Sequence, residues 1–176
     1  MAVFGLSGTR QKAYRKLPKL GKMLHELGIQ EIWDIGPEIE TPCDVSGIPV
    51  KRMGVLAVRE VASRFSQSRF GFLAYPLDYL TKSGVFAGYC AHGTIPVLPY
   101  HLPQETDGLK DGVHVISPQT VKAAMTLGLE ECSNAAWRWY QGHQLHDHAA
   151  IYARWLDQLD RNASTGMQMT TATKEA

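Results

Sequence analysis

RFGFLAYPLDYLTKSGVFAGYCAHGTIPVLPY, residues 69–100, is the stretch that decides how the rest of the chain is read. Residues 70–75 form a short apolar run, Pro76-Leu77-Asp78 turns it, and residues 81–92 carry helical spacing. Gly93 stops that helix, and residues 95–98 begin a second apolar run. Two apolar runs of strand length flanking one helical segment predict a strand, a crossover helix and a parallel strand. In such a unit the helix N-terminus opens at the carboxyl edge of the sheet. Thr81, Lys82, Ser83 and Gly84, with the first-turn amides, are therefore expected to face an anionic ligand. Lys82 sharpens this expectation, because a cation in a first helical turn opposes the helix dipole unless an anion lies beside it. Asp78 and Tyr79 precede the helix. Tyr79 is either a stacking surface for a base or ribose or a residue that simply packs on its loop.

Working outward, residues 2–5 read as a first strand, Leu6-Ser7-Gly8-Thr9 as the tight loop after it, and a helical segment follows from about Arg10. Two glycines around a serine, followed by Thr9, Arg10 and Lys12, suit a phosphate held by backbone amides and a cation. The plain alternative is an ordinary strand-to-helix turn. In a doubly wound sheet this loop and the Thr81 helix would share one edge, which places Gly5, Ser7, Gly8, Thr9 and Arg10 beside the second set.

Pro18 interrupts the first helix near Leu17 and suits the first position of a continuation that ends at Gly28. Leu17, Leu20, Leu24 and Leu27 make its apolar stripe, with His25 beside it at the surface. Residues 29–35 read as a second strand, 37–48 as a loop, 49–53 as a third strand, and 58–65 as a helix leading into the strand at Phe70. Beyond Pro99 come a polar loop to Gly112, a last short strand at 113–116, a helix over 119–127 capped by Ser117-Pro118, and helical sequence from Glu130 to about Leu159 kinked at Gln141-Gly142. Residues 161–176 lack periodicity and read as a disordered tail after a single domain over residues 1–160. Strands alternating with helices predict an α/β fold, a Rossmann-like doubly wound parallel sheet with helices on both faces.

Length and composition bound the reading further. The 176 residues suffice for one domain with a sizeable core but not for two full Rossmann-like halves. A net charge of +1 points away from a general nucleic-acid surface. No run is long enough to span a bilayer, and the N-terminus has no signal-peptide pattern, so a cytoplasmic chain is expected. Cys43, Cys90 and Cys132 are odd in number and lack metal-ligand spacing, which fits a reducing compartment. His143-x-x-His146-x-His148 does not converge on one helix face, so a hydrated surface is expected there and no metal site. Ser83 lies in no nucleophile-elbow pattern, no catalytic residue is visible, and the loop at Gly5 lacks both the P-loop ending and the full dinucleotide fingerprint. No cofactor is expected.

Ala91-His92-Gly93-Thr94-Ile95-Pro96-Val97, after a short strand, a proline, a loop and small residues opening a helix, resembles the nucleotide-sugar-binding C-terminal half of GT-B glycosyltransferases. The similarity of element order extends over roughly residues 3–160. It implies a Rossmann-like domain that holds a nucleotide-diphosphate sugar without metal and transfers the sugar to an acceptor hydroxyl. It also implies that an acceptor-binding partner chain or N-terminal domain supplies the catalytic base. Retaining members of that family often carry two glutamates eight residues apart, and the corresponding positions here are Leu80 and Gly88. The reading from another class is a non-catalytic Rossmann-like binding or interaction module. Trp137, Trp139, Tyr140, Tyr152 and Trp155 concentrate aromatic surface near the C-terminus, for core packing or for a partner.

Overall fold

The computed structural model describes residues 1–103, 106–144, 149–156 and 158. They fall into two compact units, residues 1–140 and 141–176. The first unit begins with β1 (Ala2–Phe4), α1 (Ser7–Lys16), a 3₁₀ turn (Leu17–Leu20) and α2 (Gly21–Glu26). β2 (Ile32–Ile35), β3 (Asp44–Val45), β4 (Ile48–Gly54) and α3 (Val58–Gln67) follow. The second half contains β5 (Phe70–Phe72), a 3₁₀ segment (Leu77–Lys82), α4 (Gly84–Ala91), β6 (Ile95–Val97), α5 (Val121–Leu127) and α6 (Leu129–Gln141).

The strands form one sheet in the order β3-β4-β2-β1-β5-β6, with β4, β2, β1, β5 and β6 parallel and β3 an antiparallel edge hairpin on β4. A parallel bridge from Val97 to Ile116 extends the order by one position. This is the doubly wound Rossmann-like arrangement the sequence predicts, and the chain reverses its direction of winding between β1 and β5.

Alternation along the strands sorts the core into two layers. Val3, Phe70, Phe72, Ile95 and Val97 pack with Ala13, Tyr14, Leu17 and Leu24 beneath α1 and α2, and with Val121 and Ala124 of α5. Ala2, Ile35, Leu73 and Leu98 pack with Phe65, Phe86, Tyr89 and Trp139 of α3, α4 and α6 on the other face. Gly71 permits one contact that a side chain would forbid, since a Cβ there would stand 2.5 Å from the Tyr89 ring. Tyr89 therefore lies flat on β5. Its hydroxyl accepts from Phe4 N–H at 3.1 Å and lies 3.3 Å from the carbonyl of Ala2, and so ties β1 to the helix that covers it. Burial pushes the Tyr89 phenol well above its ordinary pKa.

Several boundaries differ from the sequence reading. α1 starts at Ser7 and not at Arg10, so Ser7, Gly8 and Thr9 form its first turn. The expected helix over 81–92 is divided into the 3₁₀ segment and α4, with Ser83 between them as N-cap. Residues 44 and 45 of the expected loop pair with β4. The expected strand at 113–116 is reduced to single bridges at Val115 and Ile116. α5 begins only at Val121, because the Thr120 hydroxyl accepts the Ser117 amide at 3.1 Å and holds residues 117–120 as a turn.

In the second unit residues 149–156 are helical, and Tyr152 and Trp155 meet edge to face at 5.7 Å. The tail expected over 161–176 lies outside the described residues. No helix among those described is long and apolar enough to cross a membrane.

Candidate functional site

Parallel strands end on one edge, and a cleft of the first unit lies there. It has a volume of about 690 Å³ and is walled by the residues that leave β1 (Gly5, Leu6), β2 (Gly36, Pro37), β4 (Val55, Leu56) and β5 (Tyr75), and by the start of α4. The cleft thus covers the switch point between β1 and β5, where open α/β sheets take their ligands. α3 supplies Val58, Val61, Ala62 and Phe65 as an aliphatic and aromatic wall.

Two helix N-termini open onto the cleft. α1 is preceded by Leu6, whose side chain cannot cap, so the amides of Ser7 and Gly8 enter no intrahelical bond. At α4 the Ser83 hydroxyl accepts the Phe86 amide at 3.3 Å and the Ser83 carbonyl accepts from Ala87. The amides of Gly84 and Val85 precede the first intrahelical bond. Gly5, Thr9, Ser83 and Gly84 line the cleft, whereas Ser7 and Gly8, expected beside them, do not. The two loops predicted to share an edge do so.

Not every expected residue takes the expected place. Arg10 is fully buried and does not line the cleft. Its Nη1 donates to Asp34 Oδ2 at 2.5 Å and its Nε to the Gly5 carbonyl at 3.0 Å, while Tyr14 donates to the other Asp34 oxygen at 3.0 Å. Arg10 thereby fastens the exits of β1 and β2 from below. Gly36 is required over this cluster, because a Cβ at its φ of 145° would stand 2.3 Å from the Gly5 carbonyl and 2.8 Å from Arg10 Nε. Lys82 is not in a first helical turn. It lies at the end of the 3₁₀ segment, exposed, with its Nζ 5.5 Å from the Tyr79 ring centroid. Asp78 is exposed and Thr81 half-buried on the same segment, and neither lines the cleft. Ser83 is buried and engaged as the cap, and its own amide donates to the Leu80 carbonyl at 3.0 Å, so that amide is not free for a ligand.

The sequence reading missed the other wall. Val55 and Val58 are 76 % and 85 % exposed and Leu6 is 75 % exposed, forming an aliphatic rim. Valines at 58 and 61 with Phe65 carry helical spacing, but that pattern does not say that part of the stripe faces a cleft. His92 also lines the cleft; its Nδ1 lies 2.8 Å from the Gly88 carbonyl and its ring meets Phe65 edge to face. In the neutral ring that bond leaves Nε2 as the acceptor nitrogen.

Neither position that resembled enzymes fill with glutamate carries an acid, and the two differ in room for one. Leu80 is 1 % exposed, and a Cβ on Gly88 would stand 3.2 Å from the Phe65 ring. Among the described residues no group of three or more histidine, cysteine or acidic side chains could hold a metal, and His146 and His148 lie outside those residues. All three cysteines are free, with Cys90 and Cys132 buried. Of the terminal aromatics Trp139 is buried against Phe86, whereas Trp137, Tyr152 and Trp155 are exposed.

No family model matches the chain, and no curated protein or solved structure matches it.

Proposed function

We propose that the first unit is a donor-binding domain that holds a nucleotide-diphosphate sugar at the β1/β5 switch point and presents the sugar to an acceptor hydroxyl. The observation that carries this reading is that the starts of α1 and α4 reach one cleft at that point, through Gly5, Leu6 and Thr9 on one side and Ser83, Gly84 and Val85 on the other. A diphosphate is the group such paired helix ends favour, since each contributes free N–H donors and a partial positive charge. The leaving diphosphate gains charge during transfer, and donors fixed before the reaction stabilise that charge without reorganising. Lys82, exposed just before α4 with its Nζ over the Tyr79 ring, would swing in to the donor, and the aliphatic wall of α3 takes the less polar part of the ligand. The acceptor site and the base belong to a partner chain or further domain.

A second reading, a binding module without transfer chemistry, is favoured by the absence of an acid at positions 80 and 88 and the burial of position 80. Calorimetric titration with nucleoside diphosphates and their sugar conjugates, on the chain and on Lys82→Ala, tests the first reading. Saturable binding weakened by the substitution is expected. A folded chain that binds none of the panel overturns donor binding by this unit. Binding without sugar transfer to any acceptor or partner selects the module.

A further inference from the structure

The whole-chain charge hides a strong local asymmetry. Residues 1–25 contain no acid, while Arg10, Lys12, Arg15, Lys16, Lys19 and Lys22 fall within thirteen positions. Arg10 is buried, and Lys22 lies 4.0 Å from Glu26. The other four, at spacings of i, i+3, i+4 and i+7, form one stripe along α1 and the 3₁₀ turn after it. All four are exposed, and no carboxylate among the described residues pairs with them. The opposite side of the same segment, Ala13, Tyr14, Leu17 and Leu20, is core.

This stripe borders the ligand edge of the sheet. Lys12, Arg15 and Lys16 line a shallow groove with Ala74, Pro76 and Tyr100, residues that follow β5 and β6. Leu6 at the head of α1, and Val55 and Val58 beyond β4, are exposed and line the cleft at the strand exits. We infer that this edge docks on an anionic lipid bilayer, with the cations on headgroup phosphates and the three aliphatic side chains entering the interface. Charge complementarity selects a polyanion, and the aliphatic rim selects among polyanions. Nucleic acid would engage the cations and leave Leu6, Val55 and Val58 in water, whereas a bilayer covers both. Leu6, Val55 and Val58 also line the cleft proposed for the donor, so a docked edge would cover that cleft, and the vesicle assay reads docking without reference to nucleotide binding.

The test is co-sedimentation of the full chain with phosphatidylcholine vesicles, with and without phosphatidylserine. The variants are Lys12→Gln/Arg15→Gln/Lys16→Gln and Leu6→Ser/Val58→Ser, with thermal melts confirming that both fold. Binding is expected only with phosphatidylserine and is expected to weaken with added salt. Each cation near an anionic surface contributes a factor of about five, so the triple variant should bind about a hundred-fold more weakly. The aliphatic variant should lose affinity at unchanged salt dependence. Equal sedimentation with neutral vesicles, or a triple variant that binds as the parent does, overturns the proposal. So does displacement from vesicles by a short DNA or RNA duplex at equal phosphate, which would reassign the stripe to nucleic acid.

Discussion

Replacing Arg10 with Met separates a structural cation from a ligand-facing one. The guanidinium is entirely buried and bridges Asp34 and the Gly5 carbonyl, with Asp34 itself 4 % exposed. Methionine fills the same volume but leaves a buried carboxylate with only the Tyr14 hydroxyl as partner. Breaking one side of a buried ion pair costs about 3–5 kcal/mol, against a typical domain stability of about 5–15 kcal/mol. The single variant should therefore fold at low temperature and unfold at much lower urea concentration, with an unchanged slope. Arg10→Met/Asp34→Leu, which removes both charges, should recover most of the loss, because a buried pair replaced by hydrocarbon of similar volume is close to neutral. Urea titrations of the parent, the two single variants and the double variant form a cycle whose coupling energy reads the pair directly. A loss below about 1 kcal/mol in Arg10→Met, together with abolished nucleotide binding, would refute the reasoning and return Arg10 to the ligand site.

Other changes test the remaining features. Gly71→Ala drives a methyl group into the Tyr89 ring and should cost about 1–3 kcal/mol, whereas Gly8→Ala meets open space within α1 and should be neutral or stabilising by up to about 1 kcal/mol; thermal melts decide both. Tyr14 and Tyr89 have phenol pKa values raised by burial, so their contribution is complete below the unfolded value of about 10 and is lost as pH rises beyond it. Unfolding followed by circular dichroism should show stability falling above about pH 10, less steeply in Tyr89→Phe after allowance for its lower starting value. Gly84→Asp, also in open space, places a carboxylate on the proposed anion position. It should raise helix stability by about 0.3–1 kcal/mol while weakening nucleoside diphosphate binding at least about ten-fold; undiminished binding would remove the α4 N-terminus from the donor site.

The topology was legible because periodicity changes cleanly between strand and helix on both sides of residues 69–100, and each change coincides with a proline or glycine. The convergence of the Gly5 loop and the start of α4 was legible for the same reason, since parallel strands bring successive exits to one edge. What failed was local. Arg10 looked like a phosphate ligand because its partner, Asp34, is twenty-four residues away in a strand where an acid reads only as a break in an apolar run. Lys82 and Ser83 were placed in a first turn because a 3₁₀ segment and an α-helix joined at a serine have nearly the same spacing as one helix. The basic stripe was hidden by summing charge over the whole chain, although the absence of acids from residues 1–25 was visible in the sequence.

The lack of acids at positions 80 and 88 bears on what chemistry the cleft can support. Leu80→Glu would place a carboxylate in the apolar cluster with Phe86 and Leu98, at a site 1 % exposed. Burial without a partner costs several kcal/mol or forces the group to take up a proton, so this acid would not stand ionised toward a substrate. At Gly88 a methyl group needs the Phe65 ring, which also contacts Phe4, Tyr89 and His92, to give by a few tenths of an ångström. Introducing the two glutamates should therefore lower the melting temperature in each single variant, with no gain in sugar transfer. A stable, more active Leu80→Glu protein would show that the 3₁₀ segment opens and that the carboxylate position is merely vacant. If the acids fail, the proposed transfer would have to draw on the amides of α1 and α4 and on Lys82. Gly84→Asp would then abolish turnover and donor binding together, which a side-chain acid mechanism does not require.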